Sequence, residues 1–241
     1  MITRSEVDGV TVLRLEHGKV NALDLELLEE ITEVFTGLAG EPYRGVVLTG
    51  SGRAFSAGVD LWRVVSGGRD YVSAFLPALS AAFLAVFDLP RPVVAAVNGH
   101  AIAGGCVLAC CADHRVMGSS GRVGVTELLV GVPFPATALG ILSWAVGPGA
   151  RSLVLGGETY AAERAVELGL VDSLADDPVA AAIGLAGRMA SSIPEDTFAF
   201  TKRQLRGGVE RVLSEPQVLE LWYDRVQDGT IERYMRSLTR G

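Results

Sequence analysis

The chain has few of the residues on which several common kinds of site depend. Among its 241 residues there are three cysteines, three histidines and only two lysines, Lys19 and Lys202. The cysteines, Cys106, Cys110 and Cys111, are an odd number within one short stretch, which fits neither a disulfide framework nor a common zinc-binding spacing. We therefore expect buried helix residues at these positions, and the sequence predicts no metal ion and no redox cofactor.

Positive charge and long apolar runs are also scarce. The formal net charge is -7, whereas a nucleic-acid backbone requires clustered Lys and Arg, so we expect no nucleic-acid partner. No window is apolar without interruption over the length of a membrane span, and the opening "MITRSEVDGV" lacks the apolar region of a signal peptide. We expect a cytoplasmic protein with no membrane partner. Its 49% hydrophobic content suffices for one sizeable core.

Strand-like and helix-like segments alternate along the chain, which is typical of an α/β architecture. Buried strands are predicted at 44–52 and 91–100, and an amphipathic helix with Asp24 as its N-cap at 24–40. A largely apolar helix is predicted at 69–89, where Pro77 should bend or interrupt it.

The last sixty or so residues are predicted to be mainly helical. A boundary near 191–196 divides the chain into a core, residues 1–190, and a C-terminal helical region, residues 191–241. That region carries "VLELWYDRV" (218–226), whose apolar side chains need a cover. Either a partner subunit or the chain's own core would provide it.

Two glycine-rich turns each follow a predicted buried strand. "RAFSAGVDL" (53–61) comes after the first, and "NGHAIAGGC" (98–106) comes after the second and opens a helix. Such turns present free backbone N–H groups, so two of them could converge on one negatively charged oxygen and form an oxyanion hole. The first turn nearly spells a nucleophile elbow around Ser56, but it has no glycine at position 54 and no clear histidine partner.

Several ordered motifs resemble the enoyl-CoA hydratase/isomerase, or crotonase, superfamily over essentially the whole chain. They are "VNALDLELLEEI" (20–31), "RGVVLTGSGRAFSAGVDL" (44–61), "PVVAAVNGHAIAGGCVLACCAD" (92–113), "VGVTELLVGVPF" (123–134) and "GPGARSLVLGGETYAAERAVELGLVD" (147–172). The resemblance implies an α/β fold with a crotonase-like spiral core of ββα turns. It also implies a C-terminal helical trimerisation region, and hence a homotrimer or a dimer of trimers.

The resemblance also implies roles for individual residues. By position, the N–H groups of Val59 and Gly104 would hold the thioester oxygen of an acyl-CoA as it becomes an enolate, and Ser56 would not be a nucleophile. Coenzyme A would enter as part of the thioester substrate, with no separate cofactor. The residues implied to line its groove are Asn21, Ala22, Leu23, Ser56, Ala57, Asp60 and Leu61.

Acid–base residues separate the reactions of this family. Its hydratases use two glutamates that share a water molecule, whereas this chain matches only the later one, Glu127, and has Val107 at the earlier position. One carboxylate suffices for the 3-enoyl-CoA (delta3-delta2) isomerases, whose pattern this sequence resembles most. A base acting near neutral pH needs a raised pKa, which we expect burial among apolar neighbours to provide. The neighbours in sequence are Leu128, Leu129, Val130 and Phe134.

Other interpretations stay open at this point. The chain could be an enoyl-CoA hydratase of fatty acid beta-oxidation, a non-catalytic acyl-CoA-binding protein, or a serine hydrolase built on Ser56. Lys202 could meet CoA phosphates or lie on a solvated helix face. Trp62, Phe75 and Phe134 could line an acyl pocket or belong to the core.

Overall fold

The structure is a computed structural model and describes residues 1–238. Its strands are β1 (Ile2–Val7), β2 (Val10–Leu15), β3 (Val46–Gly50), β4 (Ala54–Ser56), β5 (Val93–Val97), β6 (His100–Ile102), β7 (His114–Met117), β8 (Arg122–Gly124), β9 (Thr159–Ala161) and β10 (Ser173–Leu174). Its helices are α1 (Leu25–Leu38), α2 (Leu61–Phe87), α3 (Gly104–Cys110), α4 (Glu127–Val130), α5 (Ala136–Val146), α6 (Ala150–Gly156), α7 (Ala162–Glu167), α8 (Pro178–Ser192), α9 (Glu195–Leu205), α10 (Pro216–Gln227) and α11 (Thr230–Leu238).

A six-stranded sheet forms the centre of the molecule, in the order β1-β2-β3-β5-β7-β10. Only β1 pairs antiparallel; the other neighbours are parallel. Every residue of β3 and β5 is buried, because α8 covers one face of the sheet while the main core covers the other. This double cover explains the continuous apolar runs from which these strands were predicted.

A second, four-stranded sheet has the order β4-β6-β8-β9. Three of its strands each follow a strand of the six-stranded sheet along the chain: β4 follows β3, β6 follows β5 and β8 follows β7. The chain therefore repeats the order strand, short strand, helix in β3–β4–α2, β5–β6–α3 and β7–β8–α4. The predicted α/β spiral of ββα turns is confirmed. Each repeat carries the chain from the central sheet through a tight turn at the second sheet, and those turns build the site described below.

The first two helices show where local sequence rules held and where one failed. Asp24 caps α1 as predicted, its side chain accepting from the N–H of Leu27 at 3.0 Å. The second helix has an additional segment at its start: α2 begins at Leu61, where Asp60 caps it in the same way, and the predicted helix from residue 69 follows a break at Gly68. The expected interruption at Pro77 is wrong, because Pro77 lies within α2 and the backbone leaves helical geometry at Gly68, whose φ is 61°; a bend at Pro77 stays a prediction.

The C-terminal helices fold back over the chain's own core. Trp222 of α10 is buried, its ring lies 6.5 Å from that of Phe75 in α2, and its Nε1 donates to the carbonyl of Pro133 at 2.9 Å. Ile231 and Met235 of α11 are buried in the same core. The sequence left open whether a partner subunit or the chain's own core covers the apolar side chains of 218–226. For Trp222 the cover is the chain's own core. The predicted boundary at 190/191 falls in the last turn of α8 and stays a prediction.

Two helical stretches, Leu61–Phe87 and Ala136–Gly156, are long and apolar enough to cross a membrane by length and composition alone. The sequence expectation had excluded such segments because neither is apolar without interruption. The core helices of soluble proteins meet the same criterion, and half of the apolar window in the first stretch is buried inside this fold.

A charged cluster lies just beyond the C-terminal end of α3, and we call Asp113, Lys202 and Arg206 the Asp113 network. The Asp113 carboxylate accepts from Lys202 Nζ at 2.8 Å and from Arg206 Nη2 at 2.7 Å. Lys202 is 6% exposed and Arg206 is 1% exposed. Both interpretations of Lys202 from sequence are therefore wrong, because its ammonium group is sequestered in this network. Burial lowers the pKa of Lys202 to about 8, so it remains charged at pH 7.

Candidate active site

The two glycine-rich turns meet at the start of α3. Leu23 forms a parallel bridge with Val59, donating to the carbonyl of Gly58 at 2.8 Å and accepting from the N–H of Asp60 at 2.9 Å. In this pairing the bonds go to the residues on either side of Val59, so the N–H of Val59 points away from Leu23. Within residues 1–238 that N–H donates to no other group.

The second free N–H belongs to Gly104, the first residue of α3. The first N–H groups of a helix have no partner within it, and that of Gly104 finds none elsewhere in residues 1–238. Ala103, which precedes it, has a φ of 52°, a strained value for alanine. This backbone conformation at Ala103 turns the chain sharply from β6 into α3.

Gly58 allows the two turns to approach each other. Its φ is 83°, and a Cβ there would come within 2.6 Å of the carbonyl oxygen of Ile102 and 3.1 Å of the nitrogen of Gly104. A side chain at residue 58 would therefore force the turns apart. The N–H groups of Val59 and Gly104 lie on adjoining turns, as two donors of an oxyanion hole require.

A hydrogen-bonded brace supports the first turn. The side chain of Asn21 donates to the carbonyls of Ala54 and Phe55 at 3.1 and 3.2 Å. Ser56 is fully buried; its Oγ donates to the carbonyl of Asn21 at 2.7 Å and accepts from the N–H of Gly58 at 3.2 Å. This geometry gives no support to Ser56 as a nucleophile. It gives the side chain a structural task instead, holding the turn that carries Val59.

A cavity of about 110 Å³ opens beside the two turns. Elements from across the chain contribute to it, including both glycine turns, α4 and the two last helices. Its lining residues are Ala57, Val59, Leu61, Ile102, Ala103, Thr126, Glu127, Val130, Val132, Trp222, Tyr234 and Leu238. Among these described residues Glu127 is the only carboxylate, and most of the others are apolar.

Glu127 is the chemically distinctive group of the cavity. Its Oε2 is shielded from solvent and has no hydrogen-bond partner in the described part of the chain. Burial raises the pKa of Glu127 to about 7, and the opposing effect of nearby backbone N–H groups is smaller. A carboxyl group with this pKa can both accept and return a proton near neutral pH. The predicted direction of the shift is confirmed.

The cause of that shift differs in part from the prediction. Of the four expected neighbours only Val130 lines the cavity. Leu128 and Leu129 are exposed, and Phe134 is buried elsewhere. A helix of four residues directs successive side chains to different sides, so neighbours in sequence are poor guides to burial.

The remaining predicted residues divide by their surroundings. Ala57 and Leu61 line the cavity; Ala22 and Asp60 are partly exposed beside it, and Asp60 caps α2. Asn21, Leu23 and Ser56 are buried, so any part they play towards coenzyme A comes through backbone or support. Their role in a CoA groove stays a prediction.

Several candidates lie outside the cavity. Val107 is buried in α3 and does not line it. Trp62 is exposed, while Phe75 belongs to the core beside Trp222. His17 pairs with Asp24, with 2.6 Å between Nε2 and Oδ2. The three cysteines are free and buried, as expected.

Sequence reasoning missed the walls contributed by the end of the chain. Trp222, Tyr234 and Leu238 line the cavity from α10 and α11. The available signal was the spacing of Tyr234 and Leu238, four residues apart on one face of a short amphipathic helix. That signal predicts an apolar face without saying which part of the molecule it covers.

Comparisons with known proteins show the family of this chain. A model of the enoyl-CoA hydratase/isomerase family matches residues 5–228. A protein of Mycobacterium tuberculosis named as a probable enoyl-CoA hydratase is 36% identical over 188 residues, which are 77% of this chain and 73% of that protein.

Two solved structures share the whole architecture. A human mitochondrial delta3-delta2-enoyl-CoA isomerase superposes with a TM-score of 0.89 over 99% of this chain and 96% of its own, at 22% identity, which shows the fold alone. An enoyl-CoA hydratase/isomerase from Mycobacterium paratuberculosis superposes with a TM-score of 0.84 over 98% and 97%, at 27% identity. Two adjoining backbone donors beside a buried carboxylate, in a crotonase fold, are thus found in a chain that belongs to the enoyl-CoA hydratase/isomerase family, whose members act on acyl-CoA thioesters.

Proposed function

We propose that this protein is an enoyl-CoA isomerase, which moves the double bond of a 3-enoyl-CoA into conjugation with the thioester. The observation that carries the proposal is Glu127: it is the only carboxylate lining the cavity in the described chain, and its buried Oε2 has no partner. A single base that works in both directions is what a double-bond shift requires.

The proposed steps use only groups of this chain. The Glu127 carboxylate removes a proton from C2 of the substrate, and the electron pair moves into the thioester oxygen. The N–H groups of Val59 and Gly104 hold the resulting enolate oxygen. The protonated Glu127 then returns the proton at C4 while the electrons move back from the oxygen, leaving the double bond between C2 and C3. The product is trans-2-enoyl-CoA, with the same atoms as the substrate.

An apolar cavity favours this cycle over water addition. Hydration needs one group to orient the water and another to handle the proton. Within residues 1–238 the only other side chains with an oxygen atom that line the cavity are those of Thr126 and Tyr234, and neither is a carboxylate. Apolar walls also keep water away from the enolate.

Enoyl-CoA hydratase is the second candidate function. It is favoured by the printed name of the Mycobacterium tuberculosis relative. For this chain to hydrate an enoyl-CoA efficiently, Thr126, Tyr234 or a group outside the cavity would have to take the part of the second carboxylate.

A paired assay tests the proposal. The purified protein is given trans-3-hexenoyl-CoA and, separately, crotonyl-CoA, alongside Glu127→Gln. We expect conjugated product from the first substrate, little hydration of the second, and a loss in the variant of roughly 10²–10⁴-fold in kcat/KM. The activity of the unaltered protein should rise with pH about a midpoint near 7, as Glu127 loses its proton.

The assay also identifies the rivals. Brisk hydration of crotonyl-CoA would overturn the isomerase proposal in favour of the hydratase. Binding of both thioesters without turnover would indicate a non-catalytic acyl-CoA-binding protein. Thioester hydrolysis that disappears in Ser56→Ala would support the serine hydrolase.

We also propose that the protein is a homotrimer or a dimer of trimers. Large apolar side chains lie exposed on the helical half of the chain, among them Phe200, Leu205 and Leu213, and contact between subunits would cover them. Light scattering after size-exclusion chromatography tests this; a monomer of 25.4 kDa would contradict it.

A further inference from the structure

The cavity that holds Glu127 is lined on one side by the chain's own C-terminal helices. Trp222, Tyr234 and Leu238 form that side, facing the wall made by the two glycine turns. All three side chains are large. Between them and the catalytic carboxylate remains a space of about 110 Å³.

This volume limits what can lie beside Glu127. A protein cavity of about 150 Å³ accommodates one benzene molecule, and a water-sized group occupies roughly 30 Å³ in a liquid. A space of 110 Å³ is therefore smaller than a cavity that holds the six carbons of one benzene molecule. The reacting carbons of a 3-enoyl chain occupy most of it, leaving room for one or two carbons beyond the double bond.

The wall is unequally anchored. Trp222 is held by its hydrogen bond to Pro133 and by the adjoining Phe75 ring, so it is a fixed boundary. Tyr234 and Leu238 lie on α11, which is seated on the core through Ile231 and Met235. Tyr234 is partly exposed and Leu238 is 65% exposed, so both can be shortened with little loss of core packing.

We propose that Trp222, Tyr234 and Leu238 restrict this enzyme to short acyl-CoA thioesters, of about four to six acyl carbons. The inference rests on the proposed function for the reaction it names, but the size limit applies to any acyl-CoA that reaches Glu127. Long-chain thioesters are excluded because their tails would run into α10 and α11.

The test compares two chain lengths in matched variants. The rates kcat/KM for trans-3-hexenoyl-CoA and trans-3-dodecenoyl-CoA are measured for the unaltered protein, Tyr234→Ala, Tyr234→Phe, Leu238→Ala and Leu155→Ala. Tyr234→Phe keeps the bulk of the ring. Leu155→Ala removes an equally exposed leucine, 70% exposed, outside the cavity.

We expect the unaltered protein to favour the six-carbon substrate by at least about tenfold, since a pocket discriminates roughly 10–200-fold per misfitting methylene. Tyr234→Ala and Leu238→Ala should each shift the ratio towards the twelve-carbon substrate about tenfold, whereas Tyr234→Phe and Leu155→Ala should leave it unchanged. Equal rates for both lengths in the unaltered protein would overturn the proposal. So would an unchanged ratio in both alanine variants.

A binding measurement separates this inference from the proposed reaction. Titration calorimetry with hexanoyl-CoA and dodecanoyl-CoA, which carry no double bond, reports the size limit without turnover. Tighter binding of hexanoyl-CoA in a protein that isomerises nothing would uphold the size limit and reject the isomerase. Isomerisation with equal binding and equal rates at both chain lengths would uphold the isomerase and reject the size limit.

Discussion

At the N-terminal end of α3 a carboxylate has one oxygen buried without a partner, whereas beyond its C-terminal end a carboxylate lies between two buried cations. The first is Glu127, in the cavity that includes Ala103. The second is Asp113, which holds Lys202 and Arg206. A helix of seven residues separates them, which is about 10 Å at 1.5 Å per residue.

The difference teaches how burial can serve either reactivity or architecture. An unpartnered buried carboxyl group shifts its pKa towards neutrality and becomes a usable base. A carboxylate with charged donors on both oxygens keeps its charge, and its removal would leave the cations without compensation. The same helix thus connects a site that is costly to fold with a cluster that attaches α9 to the core.

The largest expected effect on stability comes from removing the carboxylate of the Asp113 network. Asp113→Asn removes the only carboxylate of the Asp113 network, leaving Lys202 and Arg206 buried without a counter-charge. We expect the free energy of unfolding to fall by about 3–5 kcal/mol, the usual result of breaking a buried ion pair on one side. Urea denaturation measures it. In Asp113→Asn combined with Lys202→Met, part of the loss should be recovered, and a loss below about 1 kcal/mol in the single variant would contradict the comparison.

The next largest effect concerns Glu127, whose replacement should raise the free energy of unfolding at high pH instead of lowering it. The folded protein holds the Glu127 proton more tightly than the unfolded chain, because the pKa is about 7 against an ordinary 4.5. Stability from this group is therefore complete below pH 4.5 and is lost as the pH rises through 7. At pH 8, Glu127→Gln should be more stable than the unaltered protein by up to about 3 kcal/mol.

Urea denaturation at several pH values between 4 and 8 checks this linkage. The advantage of Glu127→Gln should shrink as the pH falls and disappear near pH 4. If the two proteins kept a constant difference across that range, Glu127 would not be titrating with a raised pKa.

A smaller effect is expected in the brace beneath Val59. Ser56→Ala removes the bonds to the carbonyl of Asn21 and the N–H of Gly58, so we expect a loss of about 1–2 kcal/mol in unfolding free energy. Activity should fall modestly and not vanish, because Ser56 supports the turn without reacting. Ser51→Ala is the matched control, since its Oγ makes only a 3.4 Å contact with Asn21. Complete loss of activity in a folded Ser56→Ala protein would contradict this assignment.

The smallest effect tests the strain at Ala103. Glycine tolerates a φ of 52° without the cost that alanine bears there. Glycine also loses more conformational entropy than alanine on folding, and with that cost subtracted we expect Ala103→Gly to raise the free energy of unfolding by about 1 kcal/mol. Ala101→Gly, in the regular strand β6, should lower it. Destabilisation in both variants would show that the turn at Ala103 is not strained.

Much of the site's chemistry was predictable because it is local. The Asp24 cap and the glycine turns depend on neighbours within a few residues, and Glu127 was identified by the resemblance of a short motif, although the cavity around it is lined by residues from distant parts of the chain. Residues 61–67 were not predicted to be helical, and Pro77 was expected to bend or interrupt a helix that continues through it. Lys202 and Trp222 could not be placed from the sequence. Their partners, Asp113 and Pro133, lie about ninety residues away along the chain.

The position of α11 in the chain bears on how the protein matures during synthesis. The oxyanion turns and Glu127 belong to repeats that leave the ribosome early, and the central sheet can assemble around them. The wall formed by Trp222, Tyr234 and Leu238 is translated after every other element of the described fold, and domains tend to fold from the N-terminal side during synthesis. A nascent chain therefore contains Val59, Gly104 and Glu127 before it contains the wall that faces them from α10 and α11.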